Sequence, residues 1–286
     1  MRRALPWIRR RALPWVLGAG AAVFWALAYV YVTLPDVRPL RTKNPSTTAF
    51  IELRADAARR AGRRPARDLR WVRYDRISPH LRRAVLVAED DAFWQHDGID
   101  IKQIRASFEA NMAEGRMARG GSTITQQLAK NLYLSPSKDP VRKLRELLIA
   151  RRLEAELPKR RILELYLNVI EWGSGIYGAE AAARRYFRKP ASALTTSEAA
   201  LLAAAVVNAR VLSPAHPSAR LRWRQRLILR RMGDGAPPAV PVPPLDAHES
   251  PESPENLSPL DPDALFGSDD DFEPPDPPAE ERPPDG

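Results

Sequence analysis

Between residues 142 and 157 the chain reads RKLRELLIARRLEAEL. On a helix, Glu146 lines up with Ala150, Leu153 and Leu157, while Leu144, Leu147 and Leu148 cover another side. A carboxylate on so apolar a girth costs free energy unless it is paired or used in chemistry. An intrahelical pair with Arg142, or with Arg145 beside it, is the plain alternative. A second acidic group, Glu89, Asp90 and Asp91, closes a helical run at 79–91 and is followed by Phe93, His96 and Gly98. Glu89 shares a helix edge with Val85 and can face a cleft, with Asp90 pointing the other way. Two separated acids in a helical domain suit glycosyl chemistry, in which one removes a proton and the other assists departure. The rival is a metal site from Glu89, Asp91 and His96. No second histidine lies at ligand spacing, so no metal is expected there.

Between the acids lies GGSTITQQLAKN, residues 120–131. Gly120 and Gly121 make a hinge, and the helix that follows opens with free N–H groups, a natural place for an anion. Thr123, Gln127 and Lys130 fall on one face, and Lys138, Arg142 and Lys143 follow closely. Together they could hold a diphosphate. A solvated polar face is the bland reading of the same ladder. Three other matches mislead. Residues 173–178, GSGIYG, fit G-x-G-x-x-G but lie between helices, not after a strand, which argues against a dinucleotide. Ser135 to Lys138 fit S-x-x-K, yet no K-T-G follows. The aromatic residues scattered over 71–232 read as core, not as base-stacking platforms.

The elements that must position these groups are mainly helical. Ser78-Pro79 caps the run 79–91. Thr123 with Gln126 predicts a capping box for 124–133, and Thr195 with Glu198 another for 196–208. Further helices are expected at 49–61, 141–157, 159–170, Ala179–Phe187 and 217–232, with no strand-like alternation of useful length. The globular part is therefore expected at 71–232, with 35–70 a loop-like linker.

The 286 residues include no cysteine, which excludes a disulfide scaffold, a thiol nucleophile and a thiolate metal site. The net charge of +10 hides an asymmetry: residues 234–286 carry fifteen acids, one base and fifteen of the 28 prolines. That composition predicts a disordered tail from 233 or 234 onward. The remaining body holds 44 bases against 20 acids and calls for an anionic partner: nucleic acid, lipid headgroups or a phosphorylated substrate.

Residues 15–34, WVLGAGAAVFWALAYVYVTL, run without a charge. They could span about 30 Å of bilayer as a helix. Trp15, Tyr29 and Tyr31 sit at its borders. Five arginines within residues 1–14 predict a cytoplasmic N-terminus, with everything after 35 outside. A cleaved signal peptide ending near Ala26-Leu27-Ala28 is the alternative, with an apolar stretch unusually long for one.

Five blocks occur in order: EDDAFWQHDG at 89–98, GGSTITQQLAKN at 120–131, RKLRE at 142–146 with Leu153-Glu154, RILELYLN at 161–168 and GIYGAEAAARRYF at 175–187. The chain thereby resembles the family 51 peptidoglycan glycosyltransferases, specifically the monofunctional biosynthetic peptidoglycan transglycosylases, over residues 46–213. The resemblance implies a lysozyme-like α fold and polymerisation of lipid II at the outer face of the inner (cytoplasmic) membrane. It implies inversion at the donor's anomeric carbon and release of undecaprenyl diphosphate.

Carried over, Glu89 matches the general base and Glu146 the glutamate that assists the leaving diphosphate, directly or through a divalent cation such as Mg or Mn. No prosthetic group is implied. Lys130 matches a diphosphate-binding lysine, and Ser122 and Gln127 match donor contacts. Asp90, Phe93, His96, Thr123, Gln126, Asn131, Arg142 and Lys143 are placed around the substrate with them. Position 138 often holds Arg in the family; Lys138 keeps the charge but loses the fork. Residues 99–119 fall where the family has a membrane-dipping jaw, with Ile99, Ile101, Ile104, Phe108 and Met112 as its apolar surface and Arg105, Arg116 and Arg119 for headgroups. The implied partners are lipid II, undecaprenyl-diphosphate-linked glycan, the membrane and proteins of the division or elongation machinery, with no nucleic acid. Two rivals stay in view: a lysozyme-like lytic transglycosylase or hydrolase acting on finished glycan, and a membrane-tethered scaffold.

Overall fold

The computed structural model describes residues 17–114 apart from 19, 23 and 26, then 121–137 and 139–233. The basic N-terminus, Gly120, Arg116, Arg119, Lys138 and the acidic tail from 234 lie outside the described residues. The chain is mainly α. In order it forms α1 (Ala49–Arg60), α2 (Pro79–Glu89), α3 (Ile101–Glu114), α4 (Ile124–Tyr133), α5 (Pro140–Glu156), α6 (Lys159–Val169), α7 (Ala179–Phe187), α8 (Thr196–Ala205) and α9 (Ala219–Met232).

Each start has a local cause. The side chains of Thr48, Ser78, Thr123, Asp139, Thr195 and Ser218 each accept a backbone N–H at the head of their helix, the usual remedy for the unpaired first-turn donors. The expected capping box at Thr195 and Glu198 is complete. The one at Thr123 is half made, because the Gln126 side chain is drawn away to Gly98 O and Lys143. Helix α2 stops at Glu89, two residues short of its expected end, because Asp90 takes an extended φ of −164°. That turn sends the two neighbouring carboxylates in different directions. Helix α9 begins at Ala219 and not 217, since Ser218 serves as its cap.

Helices α6 and α8 run through the middle. Every residue of α8 from Ala199 to Ala205 is buried, as are Ile162, Leu163, Leu165, Tyr166 and Leu167 of α6. Around them, α2 and α9 pack on α8 and on each other, and α4 packs on α1, α5 and α6. Full burial of each leucine and isoleucine among them contributes about 1.5–3 kcal/mol, and the alanines of α8 let its neighbours approach closely, so these two helices anchor the domain.

A small sheet of order β1-β3-β2 was not expected from the sequence. Strands β1 (Asp68–Leu69), β2 (Glu171–Gly173) and β3 (Ile176–Tyr177) are two or three residues long, too short to show alternation. Strand β1 runs parallel to β3, and β2 antiparallel to it. The glycine-rich match at 173–178 lies in this hairpin, so, contrary to expectation, a strand does precede it; the glycines turn the chain from β2 into β3 before α7 begins. Gly178 closes the hairpin at φ +85°, where an added Cβ would stand 2.7 Å from the Asn168 carbonyl oxygen. Residues 35–70 also do more than link. Val37 and Leu40 join the main core cluster, Ile51 of α1 is buried, and β1 completes the sheet.

Ahead of α1, the positions described within 17–32 are helical. Phe24, Trp25, Leu27, Tyr29, Tyr31 and Val32 are exposed there, while Val30 and Leu34 are buried. Among the described residues no helix is long and apolar enough to cross a membrane.

Replacing Gly178 with Ala imposes both the clash and a left-handed backbone on a side chain. It should lower unfolding free energy by about 1–3 kcal/mol, read as a reduced midpoint in urea.

Candidate active site

The site is assembled around α4. Its first turn is closed by the chain's own groups: Asp90 Oδ2 accepts the Ile124 N–H at 2.9 Å, and Thr123 Oγ1 accepts that of Gln126 at 3.3 Å. The anion site expected at these free N–H groups is thus already filled by the Asp90 carboxylate, which also suits the positive end of the helix. Asp90 Oδ1 lies 2.9 Å from His96 Nε2. His96 Nδ1 accepts the Gly98 N–H at 3.1 Å, which leaves the ring proton on Nε2, donated to Asp90. The Gly98 carbonyl in turn accepts from Thr123 Oγ1 at 2.7 Å and from Gln126 Nε2 at 3.3 Å. Gly98 holds φ +81°, with Glu154 Cγ only 2.9 Å from where a Cβ would stand.

These bonds answer for several of the expected substrate contacts. Asp90, Phe93, Thr123 and Gln126 are buried, and the polar groups of Asp90, His96 and Thr123 are engaged inside the protein. Phe93 packs edge-on to Trp94 and His96, with the Lys159 ammonium 4.4 Å from its ring centre. They brace the site and do not line it.

What does line it lies along the exposed edge of α4, where Ser122, Gln127, Lys130 and Asn131 keep contact with solvent. Gln127 Nε2 donates to Glu89 Oε2 at 2.9 Å, and its Oε1 accepts the Tyr166 hydroxyl, also at 2.9 Å. That chain fixes the amide's orientation and aims Glu89. Asn131 Nδ2 bonds back to the Gln127 carbonyl at 2.9 Å. Burial pushes the Glu89 carboxyl above its ordinary range, against the Gln127 hydrogen bond and the charges of Arg224 and Lys130, with Asp90 adding to the rise. Burial likewise drives the Tyr166 hydroxyl well up, helped by Glu89 and Asp90. Tyr166 therefore stays a neutral donor.

On the other flank Glu146 is 3% exposed. Arg142 Nη1 meets its Oε2 at 2.7 Å and Lys143 Nζ its Oε1 at 2.6 Å. The intrahelical pair with Arg142 exists, and Arg145 takes no part in it. Lys143 also reaches Ser122 Oγ at 3.2 Å and Gln126 Oε1 at 3.1 Å. Lys130 sits within the field of both acids. Burial lowers its ammonium pKa most, Glu146 opposes that, Arg142 and Lys143 lower it further, and Glu89 opposes again. Its Nζ lies 5.8 Å from the centre of the Phe50 ring. Lys130, Arg142 and Lys143 thus face two carboxylates, and an incoming dianion would find net positive charge.

Three participants escape sequence reasoning. Tyr166 reads as one more core aromatic, Phe50 as part of a linker, and Arg224 as one of many arginines in a basic helix. Arg224 Nε donates to Ala204 O at 3.1 Å, and its charge bears on Glu89 from α9, which packs on α2.

A helical domain with one desolvated carboxylate, a second one braced by cations, and positive charge to spare is built for group transfer from an anionic donor. A family model described as Transglycosylase matches residues 57–233. The chain is 46% identical over 219 residues to the biosynthetic peptidoglycan transglycosylase of Laribacter hongkongensis, spanning 76% of this chain and 95% of that one. It is 47% identical over 195 residues to the protein of that name from Nitrosospira multiformis, spanning 68% and 85%. With the one from Aromatoleum aromaticum it shares 57% over 169 residues, spanning 58% and 73%. The chain belongs to the transglycosylase family.

A carboxyl whose pKa is raised in the fold favours the native state below the unfolded value and loses that contribution as pH rises through the raised one. At neutral pH, Glu89→Gln should therefore melt no lower than the parent, and higher if burial dominates. Below pH 4, where Glu89 is neutral in both states, the two melting temperatures should converge. A variant markedly less stable at pH 7.5 would contradict the assigned direction.

Proposed function

We propose that this enzyme polymerises lipid II into β-1,4-linked glycan at the outer face of the cytoplasmic membrane, as the names of its relatives and the chemistry of its site suggest. The observation that carries the reading is that Glu89 and Glu146 flank one helix with Lys130 in the field of both. Glu89 takes the proton from the acceptor sugar's 4-hydroxyl, and its raised pKa brings it nearer to the proton it must accept. The acceptor oxygen attacks the donor's anomeric carbon as the bond to the diphosphate oxygen breaks. A single displacement inverts that carbon. The departing diphosphate gathers charge that Lys130 and Lys143 neutralise, with Ser122 beside them and Lys138 expected to join. Glu146 acts through Lys143 and Arg142, holding their charges in place for the leaving group.

A divalent cation at the diphosphate fits these residues poorly. Both Glu146 oxygens are taken by cationic side chains, and no cluster of three acidic, His or Cys ligands exists among the described residues. No step is assigned to a metal. Residues 15–34 form the proposed single-pass anchor, with the N-terminus in the cytoplasm. Exposed Ile101, Ile104 and Met112 of α3 and nearby Trp94 suit a surface that dips into lipid. The lysozyme-like fold and contacts with division or elongation proteins belong to the same reading.

A raised Glu89 would equally suit the general acid of a hydrolase cutting finished glycan. Such an enzyme has no use for three cations beside its second acid.

Purified enzyme with labelled lipid II should yield long glycan, while isolated sacculi should stay uncut; the reverse would install the hydrolase. Glu89→Gln should slow polymerisation by about a hundredfold to ten-thousandfold with lipid II binding retained. Lys130→Ala should weaken the apparent affinity for donor by about tenfold or more, and an unchanged affinity would remove Lys130 from the cradle.

A further inference from the structure

A second group of arginines on α5 and α6 plays no part in this chemistry. Arg145 Nη2 donates to the Thr33 carbonyl at 3.0 Å and to Thr33 Oγ1 at 3.2 Å. Arg152 donates from Nη1 to Leu34 O at 3.4 Å and from Nη2 to Tyr31 O at 3.2 Å, with its guanidinium 4.8 Å from the centre of the Tyr31 ring. These acceptors are carbonyls at the end of the N-terminal helix, at Tyr31, and just beyond it, at Thr33 and Leu34; Tyr31 O also accepts the Leu34 N–H at 3.4 Å. They lie at the negative end of the helix dipole, where cations are favoured. The strap beyond is held as well. Arg161 donates to Leu40 O at 2.8 Å and Lys43 O at 3.0 Å, and Arg41 to Glu156 O at 2.8 Å. Val30, Leu34, Val37 and Leu40 are buried beneath it. Leu17, Phe24, Trp25 and Leu27 ahead of Val30 stay uncovered, as does the other side of the helix at Tyr29, Tyr31 and Val32.

We infer that Arg145 and Arg152 are positioning residues: they lock the end of the membrane anchor onto α5, the helix that carries Glu146, so the anchor enters the domain as a strut and not as a tether. The inference rests on the proposal that residues 15–34 span the membrane. A flexible ten-residue tether has a root-mean-square reach of about 17 Å and would let the cleft adopt many heights and tilts above the bilayer. A lipid-borne donor has its diphosphate fixed at the surface, so a cleft held at one height meets it with less orientational freedom to lose. Arg145 lies one residue from Glu146, and one helix therefore sets both the catalytic carboxylate and the direction of the anchor.

The test uses the full chain in vesicles of phosphatidylethanolamine and phosphatidylglycerol. Arg145→Ala with Arg152→Ala should lower kcat/KM for vesicle-embedded lipid II by about tenfold. Turnover of a short-chain analogue dispersed in detergent should be unchanged, and Arg→Lys at both positions should restore part of the loss. Unchanged turnover in vesicles, or an equal fall on both substrates, would overturn the inference. An alkaline wash separates it from the anchor reading. Release of the parent protein from the vesicles removes the anchor and the strut together, whereas retention alongside an unaffected double variant removes the strut alone.

Discussion

Helix α4 has to be apolar where it meets the core and polar along one edge, and its first turn must not be left open. Asp90 meets that last condition. Its carboxylate accepts the Ile124 N–H and the His96 proton at once, joining the end of α2 to the start of α4. Because Glu89 is the residue before Asp90, the same bond fixes where the candidate base can stand. Gln127, one turn into α4, then reaches it. Core packing sets the helices that carry the two acids, and this tie sets the side chain of Glu89 on that frame.

The carboxylates are kept distinct by their neighbours. Glu89 is half-buried with a neutral amide for its closest partner, and its desolvation makes it hold its proton more tightly than an ordinary glutamate. Glu146 is the more enclosed of the two and carries a guanidinium and an ammonium on its two oxygens. Neighbours this different suit the two acids to different work, proton transfer at Glu89 and the holding of cations at Glu146. The cost of burying Lys130 among other cations fits the same logic, since an anionic donor would relieve it.

Much of this was legible in the sequence. Helix starts were legible at Ser78, Thr123 and Thr195, where the capping side chain stands directly before the first turn, because capping is local chemistry; the ends of 79–91 and 196–208 and the start of 217–232 were each misjudged by two or three residues. The apolar stripe around Glu146 marked it as needing partners, and Arg142 was among those foreseen. Long-range competition for donors was not legible. Nothing at 90–98 indicates that Asp90 would fill the helix start reserved for an anion, or that Gln126 would leave its box for Gly98 O and Lys143. Strands of two or three residues carry no periodicity. Tyr166 and Arg224 become site residues only once helices far apart in sequence have packed.

Arg224 has a consequence for how the protein comes into being. A chain is made from its N-terminus, so Glu89, Gln127, Lys130 and Glu146 are all present well before the last helix emerges. The guanidinium that tempers Glu89 arrives with that helix, braced by a carbonyl of α8. A molecule lacking residues 219–232 would lack both that positive charge and the buried Leu221, Ile228, Leu229 and Met232 that the helix adds to the core. The surroundings of Glu89 are thereby completed only when the last helix of the domain is in place.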